Sequence, residues 1–134
     1  MKTISWLEDD KFFVQNIMRP VAERGFEIKI YEQSADLIAD IENVAASCLV
    51  VVDLIVPPGS HDFQERYGGL SVLRALAALP APPPILVFSV VVRKNILDEV
   101  KRYTRNVIQK PVRLRDFESA VLGLIESESV CHVD

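Results

Sequence analysis

The sequence predicts a single α/β domain built on a doubly wound, five-stranded parallel sheet. Five short apolar runs rich in β-branched residues alternate with five longer stretches of helical period, which is the pattern of βα units. The third run includes Leu49, Val50, Val51 and Val52, which are apolar on both faces, as in a central parallel strand. A chain of 134 residues, 49% of them hydrophobic, can bury one core of this kind.

The apolar runs predict five strands, and the stretches of helical period predict five helices. The strands are residues 3–7, 27–31, 48–54, 85–88 and 106–109. The helices are residues 11–24, 34–44, 70–79, 94–102 and 114–128. We therefore expect one domain over residues 1–128, followed by a short C-terminal tail at 129–134.

Local residues predict where some of these helices begin, bend and end. Pro20 should kink the first helix or end its first half, because proline lacks a backbone N–H and clashes with the preceding turn. Gly25 should then stop that helix, and Ser34 should cap the next one. The proline-rich residues 80–84 predict a stiff, extended connector into the fourth strand.

Charge, hydropathy and cysteine content exclude several functional classes. The net charge is -4 and the basic residues are spread along the chain, which argues against nucleic-acid binding. The N-terminus turns acidic at residues 8–10, before a signal peptide could form, and no apolar run approaches the length of a membrane span. Two cysteines, Cys48 and Cys131, are too few for a disulfide framework or a zinc cluster, so we expect reduced thiols. These features predict a cytoplasmic protein.

Polar residues lie at or directly after the ends of four of the five predicted strands. In chain order they are Glu8, Asp9, Asp10, Asp53, Ser89 and Lys110. Ligands of a doubly wound sheet bind outside the carboxyl ends of its strands, so these residues should converge on one edge of the fold. The sequence thus predicts a site with several carboxylates, one hydroxyl and one amine.

This combination of groups suits phosphoryl chemistry. Two carboxylates at about 4 Å repel by about 4 kcal/mol at an effective dielectric near 20, and binding a cation offsets that repulsion. Oxygen ligands with room for water favour Mg²⁺. Beside such a metal, the Asp53 carboxylate could attack phosphorus, and the metal, Lys110 and Ser89 could share the phosphoryl oxygens.

The same residues resemble the response-regulator receiver domain of two-component signalling, and the resemblance covers nearly the whole chain. It depends on the acidic pair Glu8-Asp9, on Asp53 in Val-Val-Asp-Leu-Ile-Val-Pro, on Ser89 after Ile-Leu-Val-Phe, and on the pair Lys110-Pro111. The resemblance implies a three-layer, flavodoxin-like fold with strand order 2-1-3-4-5. It also implies a signalling switch rather than an enzyme.

The resemblance implies a role for each site residue. Asp53 matches the phosphoacceptor, Lys110 matches the family's invariant amine, and Ser89 matches the hydroxyl that moves toward the phosphoryl group. The implied partners are a histidine kinase or histidine phosphotransfer protein and a downstream protein target or output domain. A homodimer also remains open, as does whether the receiver stands alone or belongs to a longer protein.

The implied cofactor is Mg²⁺ or Mn²⁺. Asp9 and Asp53 match its side-chain ligands, and Ile55 matches the position that offers a backbone carbonyl. Glu8 would act through water or on Lys110. We expect Asp10 to be solvated and peripheral.

The chain departs from the receiver pattern in two regions. Residues 58–68 form an insertion after Asp53, which either closes over the site as a lid, held by Phe63 and Tyr67, or is a solvated excursion that also exposes His61. On the fifth strand, Val107 replaces the usual switch aromatic, Tyr103 nearby should pack at the sheet edge, and Val90 replaces a small residue after the switch hydroxyl. The geometry of output is therefore open.

Two other functions remain as alternatives. One is a receiver-like scaffold that binds proteins without being phosphorylated. The other is an aspartyl-phosphate phosphatase of the haloacid-dehalogenase type, whose pattern has a second Asp two residues after the nucleophile. Ile55 occupies that position here, which argues against the phosphatase.

Overall fold

The sheet has five parallel strands in the order β2-β1-β3-β4-β5, as predicted. The computed structural model describes residues 2–57, 67–91 and 93–128. The strands are β1 (Lys2–Leu7), β2 (Phe26–Tyr31), β3 (Leu49–Val52), β4 (Ile85–Ser89) and β5 (Val107–Gln109). In the register, Leu7 pairs with Val52 and Val52 pairs with Val87, so the carboxyl ends of β1, β3 and β4 lie side by side.

Two of the five predicted helices are each split in two. The described helices are α1 (Lys11–Ile17), α2 (Arg19–Ala22), α3 (Ser34–Ala39), α4 (Ile41–Ala45), α5 (Gly68–Ala77), α6 (Lys94–Val100) and α7 (Leu114–Glu128). The break before Pro20 is the predicted one, because proline is tolerated only in the first turn of the new helix α2. Gly25 follows α2 with a φ of 100°, a backbone conformation that favours glycine.

The second break, at Asp40, was not predicted, and the predicted cap at Ser34 is wrong. Gln33 occupies the cap position of α3, while Ser34 is the first helical residue. The Ser34 hydroxyl is buried without a hydrogen-bond partner among the described residues, close to the backbone of Gly68. A serine cap needs its oxygen near the first free N–H groups of the helix, and packing against α5 places this oxygen elsewhere.

Helices cover both faces of the sheet, and the alternation of β3 divides the core between them. Val50 and Val52 pack with α3, α4, α5 and α6 on one face. Leu49 and Val51 pack with α1, α2 and α7 on the other face. All four side chains of β3 have no exposed surface, which explains why its sequence is apolar throughout.

The expectation of a reduced thiol at Cys48 is wrong, because Cys48 is disulfide-bonded in the structure. Cys48 is buried at the start of β3. The second cysteine, Cys131, lies outside the described residues. Within the described ranges, no helix has the length and apolar character needed to cross a bilayer.

Candidate functional site

The polar residues that follow the strands meet at one edge of the sheet, as the sequence predicted. Backbone hydrogen bonds extend the strand pairing past the strand ends and fix these residues. The Asp53 N–H donates to the Leu7 carbonyl at 3.0 Å, and the Lys110 N–H donates to the Ser89 carbonyl at 3.0 Å. The Glu8 N–H donates to the Tyr31 carbonyl at 2.9 Å. The peptide bond between Lys110 and Pro111 is cis.

Lys110 joins the two buried carboxylates of this edge. Its Nζ donates to Glu8 Oε2 at 2.6 Å and to Asp53 Oδ2 at 3.1 Å. The other oxygen of Asp53, Oδ1, accepts from Ser89 Oγ at 3.0 Å and from the Ile55 N–H at 3.2 Å. Glu8, Asp53 and Ser89 are at most 5% exposed. The site is therefore a preorganised hydrogen-bond network with Asp53 at its centre.

Aromatic rings support the ammonium group of Lys110. Its Nζ lies 4.9 Å from the ring centroid of Phe13 and 5.3 Å from that of Phe88, within the range of cation–π attraction. These two rings stack with centroids 6.0 Å apart, and the buried Trp6 ring stacks on Phe117 behind them at 5.4 Å. This aromatic support was not predicted from the sequence, although Phe13 is the third residue of α1 and Phe88 directly precedes Ser89.

Burial changes the proton affinities of the network. Desolvation of Glu8, with a contribution from the Asp53 charge, raises its pKa from 4.5 to about 7 despite the hydrogen bond from Lys110. Desolvation also disfavours the charge of Lys110, but its hydrogen bond to Glu8 and the Asp53 charge outweigh this, so the Lys110 pKa is raised. Lys110 thus stays charged, whereas Glu8 titrates near neutral pH.

The start of α5 packs against the backbone of Asp53 and Leu54. The Gly69 N–H donates to the Leu54 carbonyl at 3.1 Å. A Cβ on Gly69 would collide with the Asp53 carbonyl oxygen and would lie 2.7 Å from the Leu54 Cα. Glycine is therefore required at this position for α5 to approach the end of β3.

Not every predicted site residue joins the network. Asp9 is exposed, and its side chain forms no hydrogen bond or ion pair with the described residues. Asp10 is exposed as expected, but it also caps α1, because its Oδ1 accepts from the Phe13 N–H at 3.1 Å. Among the described residues, no three His, Cys, Asp or Glu side chains are grouped so as to hold a metal ion.

The oxygen groups at this edge can still serve as ligands of a hard divalent cation. Mg²⁺ usually takes one or two carboxylates and completes its shell with water and phosphate oxygens. Asp53 supplies a buried carboxylate, Asp9 a second one from the exposed segment after β1, and Ile55 a backbone carbonyl. The buried charges of Glu8, Asp53 and Lys110 sum to a negative value when Glu8 is ionised, which also favours a cation.

The structure describes only some of the residues at which the chain departs from the receiver pattern. Val107 and Tyr103 are both half-buried and pack on the core that contains Val50 and Val52. Val90, directly after Ser89, is 55% exposed. Tyr67 also packs on this core, whereas residues 58–66, with His61 and Phe63, lie outside the described residues. The predicted lid therefore stays a prediction.

Several solved structures similar to this one are receiver domains or response regulators. The signal receiver domain of a putative Luxo repressor protein from Vibrio parahaemolyticus has a TM-score of 0.75 and 17% identity, over 93% of this chain and 90% of that chain. A CheY-like receiver domain protein from Methanospirillum hungatei has a TM-score of 0.74 and 20% identity, over 94% of both chains. A response regulator from Thermotoga maritima has a TM-score of 0.72 and 19% identity, over 95% of this chain and 99% of that chain.

At these identities the likeness shows the fold, which is the flavodoxin-like receiver fold that the sequence predicted. No protein-family model matches the sequence, and no curated protein matches it either. The function therefore has to be argued from the site itself.

Proposed function

We propose that this chain is a receiver domain that accepts a phosphoryl group on Asp53 with the help of Mg²⁺ or Mn²⁺. One observation carries the proposal: both oxygens of a buried aspartate at the carboxyl edge of the sheet are held by a lysine and a serine. Lys110 bonds to one oxygen at 3.1 Å and Ser89 to the other at 3.0 Å. Hydrogen-bond donors that hold a carboxylate in this way can also bind the phosphoryl oxygens, which carry the negative charge after the transfer.

In the proposed reaction an Asp53 carboxylate oxygen attacks the phosphorus of a donor. A bond forms between that oxygen and phosphorus, the bond to the leaving group breaks, and its electron pair leaves with the donor's oxygen or nitrogen. The negative charge then lies on the phosphoryl oxygens, and the Lys110 ammonium can bind them. Glu8 and the ring of Phe13 hold the ammonium in place. The Ser89 hydroxyl, now donating to Asp53, can donate to the phosphoryl group instead.

Asp9, Asp53 and the Ile55 carbonyl would hold the cation, which supplies positive charge to the phosphoryl oxygens when bound. Asp9 is exposed and can turn toward the site without losing a hydrogen bond to any described residue. Glu8 is held by Lys110 at 2.6 Å and would contact the cation through water. Oxygen ligands of this kind suit Mg²⁺ and Mn²⁺ better than softer metals.

The proposed protein is a signalling switch with the domain at residues 1–128. Its phosphoryl donor would be a histidine kinase or histidine phosphotransfer protein, and its phosphorylated form would bind a downstream protein or output domain, or a second copy of itself. The phosphatase alternative is disfavoured because Ile55, two residues after Asp53, offers no second carboxylate for general acid–base catalysis.

The direct test is phosphate uptake from acetyl phosphate, followed by intact-mass spectrometry. We expect one added phosphoryl group in the presence of Mg²⁺ or Mn²⁺, and none after chelation with EDTA. Asp53→Asn should abolish the uptake, whereas the control Asp116→Asn, at an exposed position of α7, should retain it.

Uptake by the Asp53→Asn variant would mean that another residue is the acceptor. A folded wild-type protein that takes up no phosphate from acetyl phosphate or from a kinase would support the scaffold alternative.

A further inference from the structure

A cleft of about 510 Å³ lies at the edge of the sheet opposite Asp53. One wall is formed by residues 82–85, which run from the proline-rich connector into β4, and the other by residues 101–106, between α6 and β5. Ile85 begins β4 and Ser89 ends it, so about 13 Å of strand separates the cleft from the proposed phosphorylation site. The two regions are therefore distinct.

Hydrogen bonds hold the floor of the cleft in a fixed shape. Thr104 is 8% exposed, and its Oγ1 donates to the Ile85 carbonyl at 2.8 Å. The same oxygen accepts from the Asn106 N–H at 3.1 Å, and Asn106 Nδ2 donates to the Ile85 carbonyl at 3.2 Å. The two walls are thus joined at their base, and the cleft is built into the fold.

The cleft is cationic in a chain whose net charge is -4. Lys101, Arg102 and Arg105 line it, and no Asp or Glu does so. All three are exposed, and none forms an ion pair with a described carboxylate. The acidic residues just before them pair with other side chains, since Glu99 binds Arg74 at 2.8 Å and Asp98 lies 4.0 Å from Lys94. The three positive charges therefore have no counter-charge within the described part of the chain.

Helix capping explains only part of this cluster. Basic residues favour the C-terminal end of a helix, and Lys101 and Arg102 directly follow α6. Arg105 lies beyond the helix, next to β5, and gains nothing from the helix dipole. Helix capping therefore does not account for a third cation in the cleft.

We propose that this cleft binds a small organic molecule that carries a diphosphate group. Two Arg side chains suit phosphate, because the planar guanidinium can donate two parallel hydrogen bonds to phosphate oxygens. A volume of about 510 Å³ exceeds what an inorganic ion needs and lies in the range of small-molecule sites. The proline wall of residues 82–84 offers apolar contact for the organic part of the ligand.

Titration calorimetry with ADP and with inorganic pyrophosphate tests the proposal. EDTA in the buffer prevents metal-dependent binding at the Asp53 edge. We expect both probes to bind, ADP more tightly, and amide NMR shifts to change at residues 101–106 rather than at Glu8 and Asp53. The double variant Arg102→Gln/Arg105→Gln should weaken ADP binding by about tenfold or more, since it removes two charged hydrogen-bond donors.

The matched control is Arg19→Gln/Arg115→Gln, which removes the same charge from exposed positions outside the cleft. It should change ADP affinity by less than about twofold, because screened charges at a distance contribute little. Equal losses in both double variants would show non-specific charge attraction and overturn the proposal. The absence of ADP and pyrophosphate binding would also overturn the proposal. Tighter binding of a polyglutamate peptide than of ADP would overturn it too, and would assign the cleft to an acidic protein segment.

Discussion

Two lysines of this protein bind carboxylates in different surroundings. Lys110 does so in the interior, and Lys29 does so at the surface. Lys110 bridges the buried Glu8 and Asp53. Lys29 binds Asp40 Oδ2 at 2.8 Å, and Asp40 also accepts from the Tyr31 hydroxyl at 2.5 Å and from Asn43 Nδ2 at 2.6 Å. Both networks therefore satisfy their carboxylates with hydrogen bonds and a lysine.

Burial gives the two networks opposite effects on their acids. Hydrogen bonds from Lys29, Tyr31 and Asn43 hold the pKa of the solvated Asp40 well below its usual range. Desolvation raises the pKa of Glu8 to about 7 although Lys110 donates to it. A lysine can stabilise an exposed carboxylate outright, but it offsets only part of the cost of burying two. The surface network ties the junction between α3 and α4 to β2. The buried network holds Glu8, Asp53 and Lys110 close together.

Removing each lysine should give the largest contrast. Lys110→Ala leaves two buried carboxylates without their cation, and we expect it to lower the free energy of unfolding by about 3 kcal/mol at neutral pH. Lys29→Ala, the matched surface variant, should change it far less, because solvent replaces the lost partner. Urea denaturation of both variants measures the difference. Equal losses would contradict the assignment of the buried network as the costly one.

Gly69→Ala should disturb the buried network through its backbone. The added Cβ would collide with the Asp53 carbonyl oxygen, so we expect a loss of about 2 kcal/mol in the free energy of unfolding. Gly123→Ala in α7 is the control, because its Cβ would meet no atom within 4 Å. That substitution should stabilise the helix by about 0.5 to 1 kcal/mol. A stable Gly69→Ala protein would show that α5 does not press on β3 as described.

The raised pKa of Glu8 predicts how stability depends on pH in metal-free buffer. The folded state holds the Glu8 proton up to about pH 7, whereas the unfolded chain releases it near 4.5. The contribution of Glu8 is therefore fully present below pH 4.5 and is lost as pH rises to about 7. We expect Glu8→Gln to remove most of that decline in the free energy of unfolding, measured by urea denaturation between these pH values. An unchanged slope would mean that Glu8 titrates normally.

The smallest effect should follow from Asp40→Asn at the surface. Because the Asp40 pKa lies below its ordinary value of 3.8, its stabilising effect is present above that pH and is lost as pH falls further. The variant should melt slightly below the wild type at neutral pH, and the two should converge in acid. Melting curves at both pH values test this. A gap that widens in acid would reverse the assigned direction of the shift.

Much of the fold follows from local patterns in the sequence. The sequence alone predicts the apolar run of β3, the break before Pro20 and the polar residues at the ends of four strands. The break at Asp40 was not predicted, because nothing local forbids a continuous helix there. It coincides with hydrogen bonds to Asp40 from Lys29 and Tyr31, which lie on a different element, β2. The disulfide bond of Cys48 was likewise missed, because composition alone does not pair cysteines.

The sequence by itself determined which groups reach the carboxyl edge of the sheet, because hydrophobic periodicity sets where each strand ends and parallel strands end together. Only the tertiary structure decided how those groups contact one another. Lys110 and Glu8 are 102 residues apart, yet they meet at 2.6 Å under two aromatic rings, while Asp9, next to Glu8 in sequence, faces solvent. Burial and distance set the strength and proton affinity of such contacts, and both are properties of the packed chain.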